Sequence, residues 1–132
     1  KIFRDRLNCK NINLVFGNHD QHIEPINSPF RNLFSSVQYV KNFSLKLGTE
    51  KTEKFGKQGF FLSHYGHRVW DKSHHGNIHL FGHSHGTLPM HGKSMDVGVD
   101  TNNFYPYHLD EILDIMKNVK PEIIDHHNEK TT

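Results

Sequence analysis

Short apolar runs separated by polar loops dominate the chain, and runs of this length predict β-strands. The strand candidates are residues 12–16, 37–40, 43–47, 59–63, 78–81 and 95–99. Within 43–47 and 95–99, apolar residues occupy every second position, which is typical of a strand with one buried face. The intervening segments are rich in Gly, Pro, Asn, Asp and charged residues, so they predict turns and loops. One such charged turn is predicted at 48–57.

Helical periodicity is found near the two ends of the chain. Residues 109–119 predict the clearest helix, because their apolar positions form one face and acidic residues occupy the first turn. The first residues resemble the end of a helix, since Phe3 and Leu7 are four positions apart. Strands with helices near the ends predict a layered α/β domain. We expect this domain to cover residues 1–119 and residues 120–132 to form a flexible polar tail.

The composition excludes some functions and favours others. A length of 132 residues suits one domain, and a formal charge of +2 does not indicate nucleic acid or an anionic membrane as a partner. No apolar run approaches the ~18 residues of a membrane span. The lone Cys9 excludes an internal disulfide, so we expect a cytoplasmic protein. The 13 His nearly equal the 14 Asp and Glu, and imidazole is a common metal ligand.

Three predicted strands, 12–16, 59–63 and 78–81, are each followed directly by a turn that carries side chains capable of binding a metal. Loops at the carboxyl ends of strands in α/β sheets commonly converge on a site. If the backbone of His83-Ser84-His85 is extended, His83 and His85 point the same way and serve one ion or two adjacent ions. The side chains in these turns are Asn18, His19, Asp20, His64, His83 and His85.

Each of these motifs also has an ordinary structural explanation when taken alone. Asn-His-Asp is common in turns, His-x-His ends many strands, and a single His is usually a loop residue. Their order, each behind an apolar strand, is more specific and favours a metal site. Four further histidines that lie between these motifs are expected to face solvent or to pack against neighbours. They are His67, His74, His75 and His79.

The motifs Gly17-Asn18-His19-Asp20, Leu62-Ser63-His64-Tyr65 and Gly82-His83-Ser84-His85-Gly86 resemble, in that order, the later motifs of the calcineurin-like metallophosphoesterases, in a bacterial or phage branch. The resemblance extends over residues 2–119. It implies a layered β-sandwich flanked by helices, and hydrolysis of phosphate mono- or diesters through a dinuclear metal centre.

The resemblance also implies a role for each motif residue. Asn18, His64 and His83 would bind one metal ion, and His85 would bind the other. His19 would be the general acid, with Asp20 orienting it. Amide oxygen and imidazole ligands suit Mn, Fe, Zn or Ni better than Ca or Mg.

The chain departs from the family pattern before Gly17, because it lacks the early Asp-x-His and Gly-Asp motifs of that family. We therefore expect the C-terminal part of such a domain, with an incomplete centre that binds at most one metal ion strongly. Three hypotheses stay open: a phosphoesterase in the intact parent, a metal-binding module without catalysis, and a scaffold fragment that associates with an N-terminal half or with itself. The sequence identifies neither the substrate nor its binding residues.

Overall fold

The computed structural model describes residues 2–47 and 56–125, which form a mixed α/β fold with two sheets and two short helices. The strands are β1 Asn13–Val15, β2 Ser36–Gln38, β3 Val40–Lys46, β4 Lys57–Ser63, β5 Ile78–Phe81 and β6 Ser94–Asp96. The helices are α1 Ile2–Arg6 and α2 Leu109–Met116. Short 3₁₀ turns cover Pro29–Leu33, Ser73–His75 and Val99–Thr101.

The two sheets differ in size and strand direction. β1 and β2 form a parallel pair, whereas the larger sheet has the order β3-β4-β5-β6. In the larger sheet β3 is antiparallel to β4, and β4, β5 and β6 are mutually parallel. The register pairs Phe60 of β4 with Ile78 of β5. Because β4 and β5 run in the same direction, the turns that follow them emerge at one edge of the sheet.

The main core lies between this sheet and α2. Its buried members are Phe60, Ile78, Met95, Ile112 and Met116. Ile112 and Met116 are four residues apart, so the same face of α2 carries both into the sheet. Burial of a side chain of this size contributes about 1.5–3 kcal/mol.

A capping box begins α2. The backbone N–H of His108 donates to Glu111 Oε2 at 2.7 Å, and His108 Nδ1 accepts from the Asp110 N–H at 3.3 Å. The sequence indicated the acidic first turn but not the use of a histidine as the cap. An imidazole nitrogen here takes the place of the hydroxyl or carboxylate oxygen usual at this position.

Most predicted strands form within a few residues of their expected limits, and the segment 78–81 coincides with β5. The strand predicted at 95–99 is wrong beyond Asp96, where β6 ends. The Asp96 carboxylate accepts the Gly98 N–H at 2.9 Å, and this local bond turns the chain out of the sheet. Helix α2 ends at Met116, earlier than the predicted residue 119.

Two predicted segments lie wholly or partly outside the described residues. They are the charged turn at 48–57, of which 48–55 are not described, and residues 126–132 of the tail. In the described part of the chain, no helix combines the length and the apolar character needed to cross a bilayer.

Candidate metal centre

Three potential ligand atoms from three separate turns meet at one point. His64 Nε2 lies 2.8 Å from Asn18 Oδ1, and His83 Nδ1 lies 3.3 Å from the same oxygen. The two imidazole nitrogens are 3.2 Å apart. The structure thus brings together residues that are 46 and 65 positions apart in the chain.

The position of Asn18 is set by the turn after β1. The Gly17 N–H donates to Asp20 Oδ2 at 2.6 Å, which closes the turn beneath the Asn18 side chain. A Cβ at Gly17 would lie only 3.0 Å from His64 Cε1. Glycine at this position therefore allows the first turn to approach the second closely.

His64 and His83 follow neighbouring parallel strands. His64 is the residue after Ser63, the last of β4, and His83 is two residues after Phe81, the last of β5. The Gly82 N–H donates to the His64 carbonyl oxygen at 3.0 Å, so the backbone pairing of the two strands continues into the site. This pairing fixes the separation of the two imidazoles.

The backbone of His83-Ser84-His85 is not extended, which corrects the conformation considered from the sequence. His83 and His85 both have left-handed φ values, 62° and 50°. A residue with a Cβ carries a cost of about 1–2 kcal/mol in this conformation, and such residues concentrate at functional sites. As a result the two imidazoles have different partners. His83 faces Asn18, whereas His85 Nδ1 lies 2.5 Å from Asp100 Oδ2.

The electrostatic environment lowers the pKa of His64 and so favours its neutral form. Partial burial lowers the pKa of His64 most, and the neighbouring His83 lowers it further. The carboxylates of Asp20 and Asp96 oppose this shift. A neutral imidazole retains the lone pair that metal coordination requires.

No arrangement of protons satisfies all three contacts among Asn18 Oδ1, His64 Nε2 and His83 Nδ1. The amide oxygen only accepts hydrogen bonds. If both imidazoles donate to it, the two nitrogens oppose each other as donors at 3.2 Å. If only one donates, the other nitrogen presents a lone pair to the oxygen.

A single cation at this point would remove this conflict, because all three atoms would then direct lone pairs toward it. Ligands about 2.0–2.2 Å from one ion lie about 2.8–3.6 Å apart at tetrahedral or octahedral angles. The observed separations of 2.8, 3.2 and 3.3 Å fall within that interval. The three residues therefore fit a transition-metal ion.

Comparisons with protein-family models, curated proteins and solved structures found no match to this chain. Within residues 2–47 and 56–125, no three His, Cys, Asp or Glu side chains are grouped to hold a metal. The cluster described above differs from such a group because its third member is the amide of Asn18. The interpretation of the site rests on its geometry and on the chemistry of these ligands.

The expected general acid, His19, and the residue expected to orient it, Asp20, lie beside the cluster. His19 is exposed, and its Nε2 lies 3.3 Å from Asn18 Nδ2. The Asp20 carboxylate accepts from the Gly17 N–H, and no hydrogen bond joins it to His19 in the part of the chain that the structure describes. The geometry therefore shows Asp20 supporting the turn, and it does not show Asp20 orienting His19.

An aromatic ring flanks the two imidazoles. The Tyr65 ring centroid lies 5.0 Å from that of His64 and 4.7 Å from that of His83. About half of the Tyr65 surface is exposed. Tyr65 thus forms an open wall of the site, whereas Trp70 is buried and donates from Nε1 to the Asn77 carbonyl oxygen.

Two supporting residues were missed by the sequence reasoning. Asp100 was not among the candidate residues, yet its carboxylate contacts His85. His79 is completely buried and joins β5 to the loop after His64, since its Nε2 accepts from the His67 N–H at 2.9 Å. The sequence contained a signal for each residue. Acidic residues after β6 pointed to Asp100, and a histidine inside an apolar strand pointed to His79.

Proposed function

We propose that Asn18, His64 and His83 bind one divalent transition-metal ion. The observation that carries this proposal is the convergence of an amide oxygen and two imidazole nitrogens within 3.3 Å of one another. The cluster includes a histidine with a lowered pKa, which favours metal over proton at neutral pH.

We further propose that this site belongs to a hydrolase of phosphate mono- or diesters with the layered calcineurin-like architecture. Asn18, His64 and His83 would hold a divalent ion, which would offset the negative charge of the phosphate and lower the pKa of the water that attacks phosphorus. As the ester P–O bond breaks, the exposed imidazole of His19, adjacent to Asn18, would donate a proton to the leaving oxygen. Tyr65 limits one side of the space that the ester occupies.

In this proposal His85 contributes to a second ion, which makes the centre dinuclear when its remaining ligands are supplied. Within the described residues, His85 is the ligand proposed for that ion, and Asp100 supports it through their contact. Because the described residues offer few ligands for a second ion, an alternative function is also favoured. In it the chain is a metal-binding module or scaffold that requires an N-terminal partner for turnover.

Calorimetric titration of the 132-residue chain with Mn²⁺ or Zn²⁺ tests the metal site. We expect one strong site, weakened at least about 100-fold by His83→Ala, because loss of a mere supporting partner already costs 10–100-fold. His75→Ala, at an exposed histidine outside the cluster, is the control and should bind as the unmodified chain does. If His83→Ala bound the metal as tightly as the unmodified chain does, the proposed site would be refuted.

Hydrolysis of nitrophenyl phosphate and bis(nitrophenyl) phosphate, with and without Mn²⁺, tests the enzyme assignment. Metal-dependent release of nitrophenol that disappears in His83→Ala but persists in His75→Ala would support the hydrolase. Tight metal binding without turnover would instead support the metal-binding module. If the chain shows neither metal binding nor turnover, both functions are refuted.

A further inference from the structure

We propose that Asp100 is a positioning residue that holds His85 in the tautomer protonated at Nδ1, so that Nε2 carries the lone pair that binds a second divalent ion. The inference rests on the proposed function for its metal, but its central claim concerns only two side chains of this chain. The supporting contact is the 2.5 Å separation of His85 Nδ1 and Asp100 Oδ2.

That separation distinguishes a hydrogen bond from joint coordination of one ion. Two ligands of the same transition metal lie about 2.8–3.6 Å apart, given bonds of about 2.0–2.2 Å. The 2.5 Å contact is shorter than this interval, as expected for a hydrogen bond between the two side chains. A carboxylate only accepts, so Nδ1 is the donor and Nε2 is left as the ligand nitrogen.

Exposure fits this division of roles. The His85 side chain is 80% exposed, whereas the Asp100 side chain is 33% exposed. A flexible, solvated imidazole would adopt many orientations, but the less exposed carboxylate restrains one of its nitrogens. The restrained ring presents its opposite nitrogen to a ligand at a smaller entropic cost.

A buried carboxylate, Asp96, brings the two partners together. Asp96 Oδ2 accepts from the Gly86 N–H at 3.0 Å, directly after His85. Asp96 Oδ1 accepts from the Gly98 N–H at 2.9 Å, two residues before Asp100. Asp96 is itself fixed at the end of β6, where it pairs with Phe81 of β5. One side chain thus links both loops.

Gly98 leaves space for the Asp100 carboxylate in this arrangement. A Cβ at Gly98 would lie 2.7 Å from Asp100 Oδ1 and 3.1 Å from Asp96 Oδ1. Gly98→Ala therefore displaces the Asp100 carboxylate without removing its charge. It supplies a second perturbation of the same contact that does not alter any titratable group.

Long-range ¹H–¹⁵N NMR spectra of the metal-free chain, at a pH where the imidazoles are neutral, test the central claim. We expect His85 to carry its proton on Nδ1, and Asp100→Ala and Gly98→Ala to populate the Nε2-protonated form. The matched control is Asp110→Asn, since Asp110 is another exposed carboxylate beside a histidine, 3.6 Å from His108 Nδ1. It should leave the His85 signals unchanged.

The same spectra recorded during Zn²⁺ titration test the ligand role. We expect the Nε2 signal of His85 to shift, with an apparent affinity about 10–100-fold weaker in Asp100→Ala. Signals of His64 and His83 report the first site separately, so failure there refutes the proposed function and leaves the tautomer result standing. A His85 protonated at Nε2 in the unmodified chain, or insensitive to Zn²⁺, would overturn the inference.

Discussion

Replacement of His79 by Leu should destabilise the whole domain, because this buried imidazole makes two hydrogen bonds that Leu cannot make. His79 is 0% exposed in the middle of β5. Its Nδ1 donates to the Phe61 carbonyl oxygen at 3.0 Å, and its Nε2 accepts from the His67 N–H at 2.9 Å. The second bond anchors the loop that begins with His64, so the substitution also affects the site.

The loss of stability can be calculated from the two hydrogen-bond partners that His79→Leu leaves unpaired. A buried polar group that loses its partner costs about 1–3 kcal/mol, which gives about 2–6 kcal/mol for two. His67 is exposed, so water replaces part of its lost bond, and we expect about 2–4 kcal/mol. For 132 residues, an unfolding entropy of about 2.1 cal/mol/K per residue converts this loss to a fall of about 7–14 °C in Tm.

Two further substitutions at the same position separate the two bonds. The Nδ2–H of His79→Asn is placed to retain the bond to the Phe61 carbonyl oxygen, and the Oε1 of His79→Gln is placed to retain the bond from the His67 N–H. Each should lose about half as much stability as the Leu variant. Thermal melting followed by circular dichroism measures all three, with His75→Asn at an exposed position as the control.

The pH dependence of the same melts adds an independent check. Burial lowers the pKa of His79 below its ordinary value of 6.5, so the unfolded chain binds more protons between the two values. The stability of the unmodified protein should therefore fall as pH drops below 6.5. That component should be absent from the Gln and Asn variants. A Leu variant that melts at or above the unmodified protein would refute the reasoning.

Three other predictions concern the site and its turns. Because the pKa of His64 is lowered, mainly by burial, we expect Zn²⁺ release to require a pH below 6.5; release already complete above pH 7 would contradict this. His19→Ala should retain the metal affinity of the unmodified chain but slow any nitrophenyl ester hydrolysis at least about 100-fold. Equal loss of metal in His19→Ala and His83→Ala would remove the general-acid role. Gly86→Ala, at a φ of +78°, should lower stability by about 1–2 kcal/mol in denaturant melts. Gly56→Ala, where an added Cβ meets nothing within 4 Å, is its control, and equal effects would exclude strain as the cause.

The sequence alone determined the elements whose signals are local. The apolar segment 78–81 predicted β5, and the spacing of apolar side chains predicted α2. These predictions succeed because the apolar positions of the two segments are also the positions that the fold buries. The polar residues directly after β1, β4 and β5 were also visible in the sequence. Glycines such as Gly17 and Gly82 marked the turns in which these residues lie.

The tertiary structure decided how these turns meet. The parallel pairing of β4 with β5 sets His64 beside His83, and pairing over long sequence separations leaves no local signal. The left-handed backbone at His85 and its contact with Asp100 depend on hydrogen bonds between two loops. Likewise, the polar His79 belongs in the core only because a carbonyl oxygen and an N–H from other segments satisfy both of its ring nitrogens.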